Sequence, residues 1–304
     1  MTQNSMTQIP TDRQTVTAAS ERRLGDRVLA LLYVLSFGGL AWLTWYGWDY
    51  YSTPLIERPH HALYWSLKPG GSLGRLYGVV GASLMTLMMS YSLRKRVRVL
   101  AHLGQLRHWL DFHIYCGVVG PLFITLHSSL KVTGVVALSF WSMVVVAASG
   151  ILGRYLYLQI PRRRSGDEMT LAEIEQAGNV MGERLMEDFG VGEEVLERIE
   201  GLASSGVDSS TGLLRVLVGL PLSSARLKWR VRELTRSLTV AHRSELQRLV
   251  LDRALLSRRI LLWDKLQELF HHWHVLHKPF AIIMYLFAAV HIGVAIATGY
   301  AFSS

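Results

Sequence analysis

Four histidines in apolar surroundings are the residues best placed to do chemistry: His113 and His127 in one hydrophobic stretch, His277 and His291 in another. Within each stretch the two are fourteen residues apart. At about 100° per residue that spacing returns to within about 40° of the same helix face, and it separates the rings by about 21 Å along the axis. Each helix would therefore offer two imidazoles to one side, one near each surface of a bilayer. An ionisable side chain inside a membrane is costly and usually has a function. Two such helices side by side form the donor set for two b-type haems, with each iron held from both sides by imidazole nitrogen. Iron held in this way has no open position, which suits electron transfer better than oxygen binding. Covalent attachment is not expected, since no C-x-x-C-H occurs.

The elements that must position these histidines follow from composition. In 304 residues, 50% are hydrophobic and 18% charged, with a mean hydropathy of +0.24, too apolar for one soluble core of this size. The single cysteine, Cys116, excludes an internal disulfide framework, a zinc ribbon and a cysteine-ligated iron–sulfur cluster built within this chain. Five stretches are long and apolar enough to cross a hydrocarbon core of roughly 30 Å: 28–48, 73–93, 109–130, 135–157 and 277–300. The expected fold is an all-α membrane protein, a five-span helical bundle with a cytoplasmic helical insert between spans four and five. Its parts are a tail at 1–27, a four-helix transmembrane block at 28–160, the insert at 161–270, and a fifth transmembrane helix with an outer C-terminus at 271–304.

Orientation follows the arginine and lysine distribution. Four arginines (Arg13, Arg22, Arg23, Arg27) precede the first span, and five cations (Arg94, Lys95, Arg96, Arg98, Arg107) lie between the second and third. Only Lys131 lies between the third and fourth, and Arg58, Lys68 and Arg75 are spread along the first loop. No cleaved signal peptide is expected. The N-terminus is expected in the cytoplasm and the C-terminus outside, in what is most simply a bacterial inner membrane. Trp45, Trp48, Tyr50, Tyr51, Tyr64 and Trp65 cluster at the outer end of the first span and its loop, where amphipathic rings suit the headgroup zone. Both histidine-bearing spans then run outward and are parallel, which levels His113 with His277 inside and His127 with His291 outside.

The insert is split by charge. Residues 161–211 hold 5 basic and 12 acidic residues, and 212–270 hold 12 basic and 5 acidic, so the formal net charge of +9 lies entirely in the membrane part and its tails. Thr170 and Glu173 form a capping-box pattern opening a helix that Gly190 could end. Beyond Pro221, Ser223 or Ser224 could cap a longer helix with Leu227, Val231, Leu234 and Leu238 on one stripe. An acidic arm folded on a basic one is one expectation, and a solvated spacer is the other. The run from Arg226 to Arg232 could attract anionic lipid or an acidic redox partner.

Gly117 and Gly120 lie between the two histidines of the third span and would let a flat macrocycle approach; Gly78, Gly81, Gly150 and Gly153 on neighbouring spans add weaker support. Arg107, Arg154 and Lys278 at the inner side and Lys131 at the outer side are candidates for pairing with haem propionates, or else cations that set topology and snorkel. His102, His108, His271, His272 and His274 crowd the inner entrance and read as interfacial, while His60 and His61 read as solvated loop residues.

The segment His113-Ile-Tyr-Cys-Gly-Val-Val-Gly-Pro-Leu-Phe-Ile-Thr-Leu-His127, with His277-Lys-Pro-Phe through Ala-Val-His291, resembles the haem-binding helices of ferric reductase-like and NADPH oxidase-type transmembrane domains. The resemblance implies two stacked haems between the third and fifth helices, transmembrane electron transfer, and ligand roles for His113, His127, His277 and His291. Cytochromes b of quinol-oxidising complexes share a similar two-by-two histidine scheme. A sixth span expected of the ferric reductase-like domain is absent and the insert is longer than expected. No strand–G-x-G-x-x-G–helix pattern for flavin or nicotinamide occurs, so electrons are expected to pass to or from a separate redox partner protein or a quinone. Membrane lipid is the surrounding partner, and no nucleic acid is expected. The alternatives are a quinone-reactive cytochrome b subunit and a non-redox metal transporter or membrane scaffold. Against the transporter, Asp111 is the only carboxylate within the spans.

Overall fold

The computed structural model describes residues 12–134, 136–160, 169–204, 213–236 and 243–299. Among them every regular element is helical: α1 (Asp12–Tyr46), α2 (Trp48–Ser52), α3 (Tyr64–Leu67), α4 (Ser72–Met88), α5 (Ser90–Arg96), α6 (Leu106–His127), α7 (Val136–Gln159), α8 (Leu171–Phe189), α9 (Glu193–Ser204), α10 (Leu213–Arg236), α11 (Arg243–Leu261) and α12 (Trp263–Ala297), with two short 3-10 turns. Five helical stretches are long and apolar enough to cross a membrane: Gly25–Tyr46, Tyr64–Arg96, Leu106–His127, Val136–Gln159 and Trp263–Ala297. The protein is an all-α membrane bundle.

Three of these match the expected spans to within a few residues. The second is longer than expected and interrupted, since α4 stops at Met88 and α5 restarts at Ser90. There the Met89 N–H bonds the Thr86 carbonyl, the tightened last turn of a helix ending. The fifth helix begins at Trp263, fourteen residues before the expected start at 277. Its first turns carry Asp264, Lys265 and Glu268, so they are helical without being apolar, and hydropathy places the boundary too late.

The chain forms two compact units, residues 1–147 with 280–304, and residues 148–279. In the first unit α4 and α6 pack closely through small residues. A Cβ on Gly81 would lie 2.8 Å from Ile124 Cδ1 and 3.1 Å from the Gly120 carbonyl oxygen, so only glycine permits that approach. The core there is built from Tyr77, Met85, Met88, Cys116, Val119 and Met284. Tyr285 donates to the Met85 carbonyl at 2.6 Å and Ser139 to the Met284 carbonyl at 3.0 Å, while Ser36 and Tyr115 share a 2.6 Å hydroxyl contact. The outer aromatic cluster divides: Trp45, Trp48 and Trp65 are exposed, as headgroup-zone residues would be, but Tyr50 and Tyr51 are buried in this core.

The second unit contains α8 to α11 around Leu185, Ile199, Leu227, Val231, Leu246, Val250 and Ala254, each buried aliphatic side chain contributing roughly 1.5–3 kcal/mol for the larger ones. Thr170 accepts from the Glu173 N–H and the Glu173 carboxylate accepts from the Thr170 N–H at 2.9 Å, so the capping box forms. Gly190 ends α8 at a φ of +61°, a conformation that favours glycine. The acidic helices α8 and α9 do pack on the basic ones: Arg253 of α11, 8% exposed, pairs with Glu200 of α9 at 2.7 Å. Gly178 of α8 makes room for that guanidinium, since a Cβ there would sit 2.3 Å from Arg253 Nη1.

The expected start of α10 is corrected. The helix begins at Leu213, so Pro221, Ser223 and Ser224 lie inside it and neither serine caps it. The leucine-rich run ahead of Pro221 has enough helix propensity to override the usual boundary at proline. Leu227 and Val231 are buried as expected and Leu234 is half-buried, whereas Leu238 lies outside the described residues. The second compact unit is wider than the expected insert, because the last part of α7 and the first part of α12 belong to it.

Candidate functional site

His127 is the last residue of α6, and its ring faces that of His291 on α12 with ring centres 6.5 Å apart and planes inclined at 61°. Two imidazoles on opposite sides of one metal atom need about 6 Å between ring centres: roughly 2.0–2.1 Å from metal to each nitrogen, and about 1 Å more to each ring centre. His127 Nδ1 lies 2.8 Å from the Gly74 carbonyl oxygen. A carbonyl only accepts, so the proton is on Nδ1 and the lone pair is on Nε2. Metal-ligating histidines commonly show this tautomer and this outer hydrogen bond.

His113, in the third turn of α6, repeats the hydrogen bond from ring to carbonyl. Its Nδ1 lies 2.9 Å from the Met88 carbonyl oxygen, and the Tyr91 ring packs against it at 5.4 Å. Met88 ends α4, so its carbonyl is one of those that helix termination leaves without an intrahelical partner. Helix α4 thus supplies both acceptors, Gly74 and Met88, which are fourteen residues apart like the histidines they hold. Backbone carbonyls have no residue signature, and sequence reasoning missed them.

In the second unit His277 Nδ1 lies 2.8 Å from Ser149 Oγ on α7. Trp273, one turn earlier on α12, donates its indole N–H to the Ser149 carbonyl at 2.7 Å and lies against the His277 ring with centres 5.0 Å apart. Gly153 makes this possible, because a Cβ there would sit 2.2 Å from the Trp273 ring; Gly150 leaves His277 Cε1 at 3.9 Å. One continuous helix, α12, carries both His277 and His291, with Pro279 between them, as α6 carries Pro121 between its own two histidines.

Gly117 and Gly120, expected to face a macrocycle, face α4 instead. A Cβ on Gly117 would meet Met88 Sδ at 3.1 Å, and one on Gly120 would meet Met85 Cγ at 3.0 Å. The glycine that seats a ligand-type ring is Gly78 on α4, whose absent Cβ would lie 2.7 Å from His127 Nδ1. Gly78→Ala should therefore push the ring off its Gly74 bond and lower retention of a group bound at His127. Gly117→Ala should have little effect, because the Met88 thioether yields easily. Retention of any group bound at His127 in the two variants checks this, and equal retention would remove Gly78 from the site.

Arg107 is paired with Asp111 at 3.5 Å and Asp26 at 3.6 Å, so carboxylates of the chain answer its charge; Asp111 is 9% exposed. Arg154 lies over the Tyr157 ring at 5.6 Å. Lys131 follows α6 and is exposed, and Lys278 is exposed on α12. His102, His108, His271 and His272 are exposed and His274 half-buried. His60 is exposed as expected, but His61 is not a solvated loop residue: it packs on Tyr50 with ring centres 5.6 Å apart, accepts from the Leu63 N–H and donates to Asp49 at 3.0 Å.

Arg58 was counted in the sequence only as a loop cation, yet it is 7% exposed. Its guanidinium donates to the carbonyls of Thr53 at 2.9 Å, Tyr51 at 2.8 Å and Ser129, and it lies over the Tyr50 ring at 5.2 Å. Ser129 is two residues beyond His127, so this cation anchors the carboxyl end of the helix bearing that histidine. Burial pushes the Tyr51 phenol above its ordinary pKa, with Arg58 opposing.

Among the described residues no three histidine, cysteine, aspartate or glutamate side chains converge as for a mononuclear ion held by protein alone. The chain matches no protein-family model, no curated protein and no solved structure.

Proposed function

We propose that this chain is a membrane cytochrome b that binds two haems, with His113 and His277 as the inner ligands and His127 and His291 as the outer ones. It carries single electrons across the bilayer as a subunit or module of an oxidoreductase system, in the manner of ferric reductase-like domains. The observation that carries the reading is the His127–His291 pair, with its ring separation of 6.5 Å and the Nδ1 proton of His127 committed to a backbone carbonyl. His113 has the same commitment one fourteen-residue repeat earlier. Two facing imidazole rings with no third side-chain donor beside them would suit a haem iron, which favours this reading over a metal transporter.

Haem bound at these residues supplies a reversible one-electron couple. The residues themselves have separate tasks. The carbonyls of Gly74 and Met88 fix the tautomer of His127 and His113 and raise the basicity of the rings. Ser149 and Trp273 orient His277, and the apolar spans keep water away. In this reading the N-terminus is cytoplasmic, the C-terminus is outside, the membrane is a bacterial inner membrane, and a separate redox protein or a quinone exchanges electrons with the chain.

The test is a reduced-minus-oxidised spectrum of the purified, haem-replete chain, with pyridine haemochrome quantification. About two haems b per polypeptide are expected. One would limit ligation to a single pair, and none in a folded preparation would overturn the reading.

A further inference from the structure

Over its second half, from Ala225 to Arg236, α10 buries Leu227, Val231 and Thr235 in its own unit. The opposite arc is strongly cationic: Arg226, Lys228, Arg230, Arg232 and Arg236 are all exposed, with Glu233 the one carboxylate among them. At about 100° per residue, Trp229 falls at the centre of this arc, Arg232 and Arg236 lie beside it, and Lys228 and Arg230 lie at its two edges. Trp229 is 64% exposed. A tryptophan with its flat apolar ring outward and long cationic stems on both flanks is the pattern of a helix lying in a bilayer interface: the ring enters the acyl boundary while the cations snorkel to phosphate.

The rest of the unit agrees with this reading. Helices α8 and α9, residues 171–204, carry nine acidic and two basic residues, so the unit is electrically polarised, with α10 as its positive side. Tethering is also built in. Leu262 alone separates α11 from α12, and α12 continues into an apolar span, so the unit containing α10 is covalently tethered to a membrane-spanning helix.

We propose that the outer face of α10 docks on the anionic headgroups of the bilayer that the chain itself spans, with Trp229 as its interfacial anchor. The docking requires acidic phospholipid and does not depend on haem. A soluble acidic partner would match the charge, but it would not need the unit to be tethered at a membrane.

The experiment uses the full chain in lipid nanodiscs, with Cys116→Ala as background and a fluorophore on Ala225→Cys, which lies within the exposed arc. Nitroxide-labelled lipid should quench this label in discs containing phosphatidylglycerol and not in discs of phosphatidylcholine alone. A label on Gln176→Cys of α8 should not be quenched in either. High salt should relieve the quenching, since the screening length falls from about 10 Å at 0.1 M to about 3 Å at 1 M. Each cation removed should lower the docked-to-undocked ratio about fivefold, so the combined R226Q, K228Q, R230Q and R232Q variant should lose the quenching at unchanged helix content. Equal quenching in neutral discs, or in that variant, would overturn the proposal. Protection of the 225 label by polyglutamate with no response to anionic lipid would also overturn it, and would assign the face to an acidic protein.

Discussion

On the proposed ligation, alanine in place of His127 or His291 should lower the haem content of the purified chain from about two per polypeptide to about one, and each variant alone should produce the whole effect. The two rings face each other across 6.5 Å, so they act as one unit and their losses should not add. A haem held by both rings would lose one of its two protein ligands and would exchange out of the chain. The other proposed pair, His113 and His277, lies fourteen residues away on each helix, about 21 Å along the axis, and should be untouched. The spectrum that remains should therefore be that of a single low-spin haem, abolished in turn when His113 or His277 is also replaced. Retention of two haems in His127→Ala would show that this pair is not a ligand pair, and the facing geometry would then be only a packing contact.

Arg58→Ala should be the most destabilising substitution outside the helices that carry histidine, by about 3–5 kcal/mol, near the top of the range for single changes. The buried guanidinium satisfies three carbonyls, those of Tyr51, Thr53 and Ser129, with Tyr50 stacked on its face. Removing it strands acceptors where water enters poorly. Arg58→Lys should recover little, because an ammonium cannot reproduce a planar fork donating in three directions. A second consequence follows from position. Ser129 and Leu130 have φ values of +49° and +59°, a left-handed turn unusual for residues with side chains, and it is pinned by Arg58 and by the 2.6 Å bond from Ser129 Oγ to the Leu67 carbonyl. When that pin is lost the carboxyl end of α6 should fray, so the haem proposed at His127 should be lost before the chain melts. Thermal unfolding in detergent, followed by helix signal and by haem absorbance together, reads both effects. A wild-type melting curve would mean that solvent or a neighbouring side chain replaces the arginine without cost.

Much of the architecture can be read from local pattern. A run of about twenty apolar residues has few folded outcomes other than a membrane helix, so hydropathy placed three of the five spans to within a few residues and missed only the early start of the second at Tyr64 and the amphipathic start of α12 at Trp263. The capping box at Thr170 and Glu173 and the terminator Gly190 are short-range signals whose partners lie within a few residues, and they appear in the structure as written in the sequence. The fourteen-residue spacing of the histidines is likewise a property of one helix at a time.

What the sequence by itself determined is therefore whatever depends on neighbours along the chain: helical class, the approximate places of the spans, the cap and terminator of α8, and the fourteen-residue spacing of each histidine pair. The tertiary structure decided which surfaces meet. It turned Gly117 and Gly120 toward α4 and gave the seat of His127 to Gly78, because a missing Cβ matters only opposite a close neighbour. It brought Arg58 from a loop to the end of α6, and it recruited the carbonyls of Gly74, Met88 and Ser129, groups that every residue possesses and no residue type advertises. The physical reason is one of range. Periodicity and propensity act over a few residues, whereas hydrogen bonds to backbone and contacts across helices depend on rotations and offsets that only the packed chain fixes.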